Sequence, residues 1–191
     1  RMSKRRATIA KRLVEVQATA AMLTTFNEVD MSAVMALRNE HKDSFKEKHG
    51  VSLGFMSFFT KSVCEGLRAF PNVNAQIDGE EIISHDYADV GIAVSSPKGL
   101  MVPVLRNAHA QDLWASAAEV VRLSEAARSG KAVREELTGS TITITSLGRL
   151  GGIVSTPVIN HPEVAIVGVN RIALRPVMRD GAVVARQMMN L

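Results

Sequence analysis

The stretch TITITSLGRLGG, Thr141 to Gly152, alternates threonine with isoleucine and then gives way to glycine. Alternation at period two marks a β-strand, with Ile142 and Ile144 on one face and Thr141, Thr143 and Thr145 on the other. A half-buried strand requires the apolar face. It does not require three hydroxyls opposite, aimed towards a glycine-rich turn. Glycine there lets a ligand approach the backbone closely, although GRLGG by itself is a common turn and weak evidence for a phosphate cradle.

The same patterning continues on either side. Before this strand, DLWASAAEVVRLSEAARSG reads as an amphipathic helix capped by Asp112 and closed by Gly130. Earlier still, VNAQID, GEEIISH and ADVGIAVSS read as short strands, with Asp78-Gly79 as a hairpin turn. LMVPVLR is a further strand, whose Pro103 predicts an edge or irregular position. The N-terminal third predicts an opening helix in KRRATIAKRLVEVQATAAM and a strand in LTTFNEVDM. A charged helix follows, capped by Ser32 and stopped by Gly50. GFMSFFTKSVCEGLRAF predicts a third helix, apolar almost all round and therefore buried, ended by Pro71. After the glycines, EVAIVGVNRIALRPVM, a turn at RDGA and VVARQMMNL read as strands. Helices before and between strands predict an α/β two-layer sandwich around a mixed sheet. Residues 1–191 are expected to form a single domain. The sequence stops inside or just after a predicted strand, so the domain is expected to be truncated at its C-terminal end.

Composition narrows the function. Aromatic content is 4%, so aliphatic packing carries the core, with nine methionines to fill gaps or line a channel. The single cysteine, Cys64, sits in an apolar helical pattern; it excludes an internal disulfide and a cysteine-based zinc site, and suits a reducing compartment. No run is long enough to span a membrane. The net charge of +4 is concentrated in the first residues, RMSKRR. Aromatic platforms and base-reading motifs are absent, so the charge predicts a solvated helix start or linker remnant and no nucleic-acid partner. A basic surface also attracts a phosphate-bearing ligand.

Several segments, in order along the chain, resemble the catalytic domain of the acyltransferase component of 2-oxoacid dehydrogenase complexes. They are TIAKRLVEVQATAAMLTTFNEVDMS, LGFMSFFTKSVCEGLRAFPNVNAQIDGEEI, DVGIAVSSPKGLMVPVLRNA and STPVINHPEVAIVGVNRI. TAAMLTTFNEVDM and GFMSFF look most like the succinyltransferase of the 2-oxoglutarate complex. The later half departs from that subtype, which typically reads Asn-Gly-Gly after the threonine and His near position 170. This chain has Ser146-Leu147-Gly148 and Asn170, and there it looks more like the acetyl and branched-chain enzymes.

The resemblance implies a chloramphenicol acetyltransferase-like fold. It implies a homotrimer that assembles into a larger core, with 2-oxoacid dehydrogenase and dihydrolipoamide dehydrogenase as partner enzymes. Coenzyme A and a lipoyl group, carried on a separate domain, enter a channel at the trimer interface, and no metal is required. The location implied is cytoplasmic in a bacterium or the mitochondrial matrix in a eukaryote. A non-catalytic core-like scaffold and a small-molecule acetyltransferase are the competing readings.

Thioester exchange needs a base for the incoming thiol and a donor for the oxyanion. By resemblance, Thr145 occupies the position whose hydroxyl stabilises the tetrahedral intermediate. Arg38 matches an arginine that helps fix the catalytic motif. Ser95, Lys98, Ser155, Thr156 and Pro157 match segments beside the substrate and coenzyme A channel, with Lys98 either meeting a phosphate or solvated. The family's base lies in a His-x-x-x-Asp-Gly motif, read roughly as DHRVxDG, which is absent from these residues. The chain by itself is therefore expected to be inactive. HDYAD spells His85-x-x-x-Asp89, but as a strand it would hold the two side chains about 13 Å apart, so it is a decoy. His161 reads as a turn or surface histidine, and His41, His49 and His109 as solvated.

Overall fold

The computed structural model describes residues 1–148 and 151–191, so Arg149 and Leu150 of the glycine-rich turn lie outside the described residues. Helix α1 (Lys4–Thr19) is capped by Ser3 and buries Val16. Strand β1 is shorter than its apolar pattern predicts, covering Glu28–Asp30. Helix α2 (Ser32–His49) ends at Gly50, whose φ of 70° supplies the left-handed closure the sequence predicts. Ser32 is the first helical residue and not the cap. Its N–H donates to Asp30 Oδ1 at 3.0 Å, and its hydroxyl accepts the Gln187 N–H.

Helix α3 (Met56–Ala69) buries Ser57, Thr60, Cys64 and Leu67. It is not covered all round: Phe59, Val63 and Phe70 line an apolar groove with Ile142, Val167 and Leu191. Strands β2 (Ala75–Asp78) and β3 (Glu81–Ser84) form the predicted hairpin about Gly79, at φ 61°. The predicted strand 88–96 divides into β4 (Val90–Ile92) and β5 (Val94–Ser96), which belong to different sheets. The run 100–106 likewise divides, at Pro103, into β6 (Gly99–Met101) and β7 (Val104–Leu105). β7 is an edge strand, as a proline without an N–H requires.

Helix α4 (Leu113–Ser129) starts where Asp112 Oδ1 accepts the Ala115 N–H at 2.7 Å, and Gly130 closes it at φ 72°. Then come β8 (Ile142–Ser146), β9 (Ile166–Val169), β10 (Ala173–Arg179) and β11 (Ala182–Asn190). The β10–β11 turn places Asp180 and Gly181 at φ 49° and 79°, the double positive φ of a tight hairpin.

The central sheet is mixed, in the order β7-β4-β8-β9, with β4, β8 and β9 parallel and β7 antiparallel. A second sheet, β1-β11-β10, is antiparallel. The two meet where the Asn170 N–H donates to the Asn190 carbonyl at 3.2 Å. The main core lies between the central sheet and helices α3 and α4, with Val90, Leu105, Leu123 and Ile144 at its centre. Central parallel strands are covered on both faces, and β8 follows that rule: Ile142, Ile144, Thr141 and Thr143 are all buried. The half-buried strand expected from alternation is thus fully enclosed until Thr145. No helix among the described residues is long and apolar enough to cross a membrane.

Candidate active site

The three threonines of β8 have different partners. Thr141 is bound to the backbone of Asp89, whose N–H donates to the Thr141 hydroxyl oxygen at 3.3 Å. The Thr143 hydroxyl donates to Glu163 Oε1 at 2.9 Å. Thr145 is half-buried at the end of the strand, and no hydrogen bond engages its hydroxyl among the described residues. The chain then turns away, with the Gly148 N–H donating to Ser146 Oγ and the Gly151 N–H to the Gly148 carbonyl. The first two hydroxyls are consumed in holding the sheet, and the third is left for something else.

Glu163 is the residue that sequence reasoning missed. It is 3% exposed, and its Oε1 accepts from Ser140, Thr143 and Asn160. Its other oxygen, Oε2, is buried without a partner. Burial pushes this carboxyl above the usual carboxylate range, and the three hydrogen bonds pull the other way. The only sequence signal was a lone carboxylate directly before the apolar run VAIVGV. A raised folded-state value means that the native protein binds the proton more tightly than the unfolded chain. Glu163 therefore contributes stability that is fully present below its ordinary value of 4.5 and is lost as pH rises through the folded value. Urea midpoints measured upward from that pH are expected to fall in the wild type and to fall less in Glu163→Gln. Parallel curves would refute the assignment.

Beside Thr145, the register pairs it with Gly168 of β9. A Cβ on Gly168 would lie 3.5 Å from Pro157 and 3.7 Å from Ser155 Oγ, so residues 155–157 pack in contact distance over the strand end. Ser155 and Thr156 line a 570 Å³ cavity with Thr24, Phe26 and Gly168. The Ser155 hydroxyl donates to Asn170 Oδ1 at 3.2 Å, and Asn170 Nδ2 donates to the Asn190 carbonyl at 3.2 Å. The described lining of the cavity carries no histidine, lysine or arginine.

The remaining candidates lie elsewhere. Arg38 donates from Nε to the Leu53 carbonyl at 2.8 Å, and its guanidinium sits 4.9 Å from the centre of the Phe55 ring. Ser95 is exposed on β5. Lys98 follows on the β5–β6 hairpin and reaches the end of α4, where a Cβ on Gly130 would come within 2.6 Å of its Nζ. Asp89 is spent on Arg106, at 2.6 Å, and on the Asn107 N–H, at 2.7 Å, while the His85 ring faces Tyr87. HDYAD thus has no His–Asp pair. Of the other histidines, His49 and His109 are exposed, as their contexts suggest, and His41 is partly covered. His41 meets Trp114 edge-on, His49 stacks on Phe45, and His109 Nδ1 accepts the Ala88 N–H at 3.0 Å. His161 lines a neighbouring cavity with Arg12 and Glu15. Cys64 is buried, and burial raises its thiol, which suits packing rather than nucleophilic attack. No group of three or more His, Cys, Asp or Glu among the described residues could hold a metal ion.

This mixed sheet with a hydroxyl at the end of a parallel strand defines a class. The model of the 2-oxoacid dehydrogenase acyltransferase catalytic domain matches residues 1–191, and the chain belongs to that family. A dihydrolipoyllysine-residue succinyltransferase component of the 2-oxoglutarate dehydrogenase complex, from Bartonella vinsonii subsp. berkhoffii, is 52% identical over 191 residues, which is 100% of this chain and 46% of that protein. The chain thus spans about half the length of the curated relatives it matches. Among solved structures, the dihydrolipoamide acetyltransferase of Azotobacter vinelandii is 34% identical, with a TM-score of 0.95 over 100% of this chain and 79% of its own. That enzyme was studied for a serine, a histidine and an asparagine in its catalytic mechanism. The cubic core of a pyruvate dehydrogenase multienzyme complex is 33% identical, again with a TM-score of 0.95, over 100% of this chain and 79% of its own.

Proposed function

We propose that this chain is the catalytic core of a dihydrolipoyllysine-residue acyltransferase, moving a succinyl group from dihydrolipoyl-lysine to coenzyme A within a 2-oxoglutarate dehydrogenase complex. The Thr145 hydroxyl near the end of a parallel strand, with no hydrogen bond among the described residues, is the observation that carries the reading. In the reaction a base takes the proton of the coenzyme A thiol, and the thiolate attacks the thioester carbonyl. The tetrahedral oxyanion accepts a hydrogen bond from Thr145. Collapse then expels the dihydrolipoyl thiolate, which is protonated. The base is assigned to none of these 191 residues. Coenzyme A is a substrate and the lipoyl group arrives on another domain. Neither half of the exchange requires a metal.

In this reading Ser155 and Thr156, which line the cavity, form the acyl side of the site, whereas Arg38, Ser95 and Lys98 do not line that cavity. Assembly into trimers and a larger core, serving a 2-oxoacid dehydrogenase and a dihydrolipoamide dehydrogenase, is the corresponding architecture. It is supported by the apolar residues Leu23 and Phe26, 89% and 49% exposed beside the cavity, and by likeness to a cubic core. A soluble bacterial setting accords with the bacterial relatives.

One observation favours a second reading, acetyl or branched-chain transfer. The described cavity lining has no cation for a succinyl carboxylate, and both ends of the Asn170 amide are already bonded to Ser155 and Asn190. Steady-state rates of the full-length protein with succinyl-, acetyl- and isobutyryl-dihydrolipoamide separate the two. A kcat/KM at least tenfold higher for succinyl is expected. Preference for either neutral acyl group would move the assignment within the family, and no turnover with any of the three would overturn the enzyme reading.

A further inference from the structure

We propose that Glu163 is a positioning residue for Thr145, holding the cavity wall in register with the oxyanion donor. This rests on the acyltransfer reading above.

The geometry has three parts. First, Glu163 lies three residues before β9 and gathers groups from both sides of the strand pair. Ser140 comes from just before β8 and Thr143 from within it, and Asn160 from the turn before β9, where the Glu163 N–H also donates to the Asn160 carbonyl at 3.0 Å. Second, this anchor sits at the beginning of the parallel pairing Thr143↔Ile166, which runs on to Thr145↔Gly168. A slip of one residue would turn every β9 side chain to the opposite face and replace Gly168 beside Thr145 by a valine. Third, even a Cβ at that point would already touch Pro157 and Ser155, so the branched side chain of a valine would press on the residues that wall the cavity. The anchor itself has little room to yield. A Cβ on the adjacent Gly91 would fall 2.8 Å from Thr143 Oγ1 and 2.8 Å from Val102, so the backbone of β4 is pressed against the cluster.

A buried carboxylate oxygen with three donors, on a residue whose other oxygen has no partner, is a costly way to fasten a loop. An apolar residue would fill the same space without that cost. What the carboxyl adds is directional: it fixes the strand start and the turn relative to one another, and through them the wall relative to Thr145. Catalytic geometry is sensitive to such placement, since a displacement of about 1 Å can cost about 10²-fold in rate.

The test is a double-mutant cycle in the full-length protein, with coenzyme A and the acyl-dihydrolipoamide that turns over fastest. Glu163→Ala is expected to lower kcat by about tenfold or more, with the KM for coenzyme A within twofold. Glu163→Gln keeps a carbonyl acceptor for Ser140 and Thr143 and is expected to recover most of that loss. In a Thr145→Val background, Glu163→Ala is expected to cost little further, because the donor it positions is gone. A purely structural role lowers the melting temperature as well, but it predicts equal rate losses in both backgrounds and no dependence on the donor. That result would overturn the proposal, as would Glu163→Gln being as slow as Glu163→Ala. Hydrogen exchange of residues 153–160 reads the clamp without turnover. Faster exchange there in Glu163→Ala supports it, and unchanged exchange sinks it. Absence of wild-type activity would defeat the enzyme reading while leaving the exchange result standing.

Discussion

Thr145→Val in the full-length protein is expected to lower kcat by about 10²- to 10³-fold, the usual cost of removing one oxyanion donor. Valine keeps the β-branched shape that suits the strand end and removes only the hydroxyl. That hydroxyl has no structural hydrogen bond to lose among the described residues, unlike those of Thr141 and Thr143. The expected result therefore has two halves: a large fall in rate and a denaturation midpoint close to that of the wild type. Thr143→Val should behave oppositely, losing stability through the bond to Glu163 and affecting rate less. Transfer to coenzyme A, followed by chromatographic separation of the acyl-coenzyme A formed, measures the rate. A Thr145→Val enzyme within threefold of wild type would return the residue to a simple strand former.

Ile144→Ala is expected to cost about 2–5 kcal/mol of folding stability. Ile144 is fully buried in the main core and lies on β8 between β4 and β9. Truncation removes packing from both the sheet and the helices that cover it, and the flanking strands cannot collapse inward without breaking the ladder. Its carbonyl accepts the Ala93 N–H at 2.9 Å, which fixes the backbone around any cavity left behind. Urea or guanidinium unfolding gives the number. A loss below 1 kcal/mol would mean that the core relaxes around the site, contrary to the close packing described.

Much of the fold was legible because local signals and tertiary demands agree. Asp112 and Gly130 bracket α4, Gly50 closes α2, and the Asp78-Gly79 and Asp180-Gly181 pairs turn their hairpins, each by a conformational preference that needs no distant partner. Where those signals fail, a long-range partner is responsible. Ser32 resembles a cap, but Asp30 two residues earlier does that work while the serine hydroxyl is drawn to Gln187, 155 residues away. The runs around Ala93 and Pro103 read as continuous strands, but each changes sheet, and periodicity carries no mark of which neighbour a strand will choose. Helix α3 is apolar enough to be buried all round, and the described chain covers it on one side only.

The candidate site divides the same way. The sequence determined that a strand with an Ile face and a Thr face runs into a glycine turn, because alternation is a property of neighbouring residues, and the family resemblance singled out Thr145 among the three. Only the tertiary structure decided what the threonines face. Asp89 and Glu163, 52 and 20 residues away, take the first two hydroxyls, and the third, near the end of the strand, has no such partner among the described residues. A hydroxyl is the same group at each position. Its role depends on whether a distant acceptor has been folded against it, and that is settled by the parallel register of β8 and β9 rather than by the residues on either side.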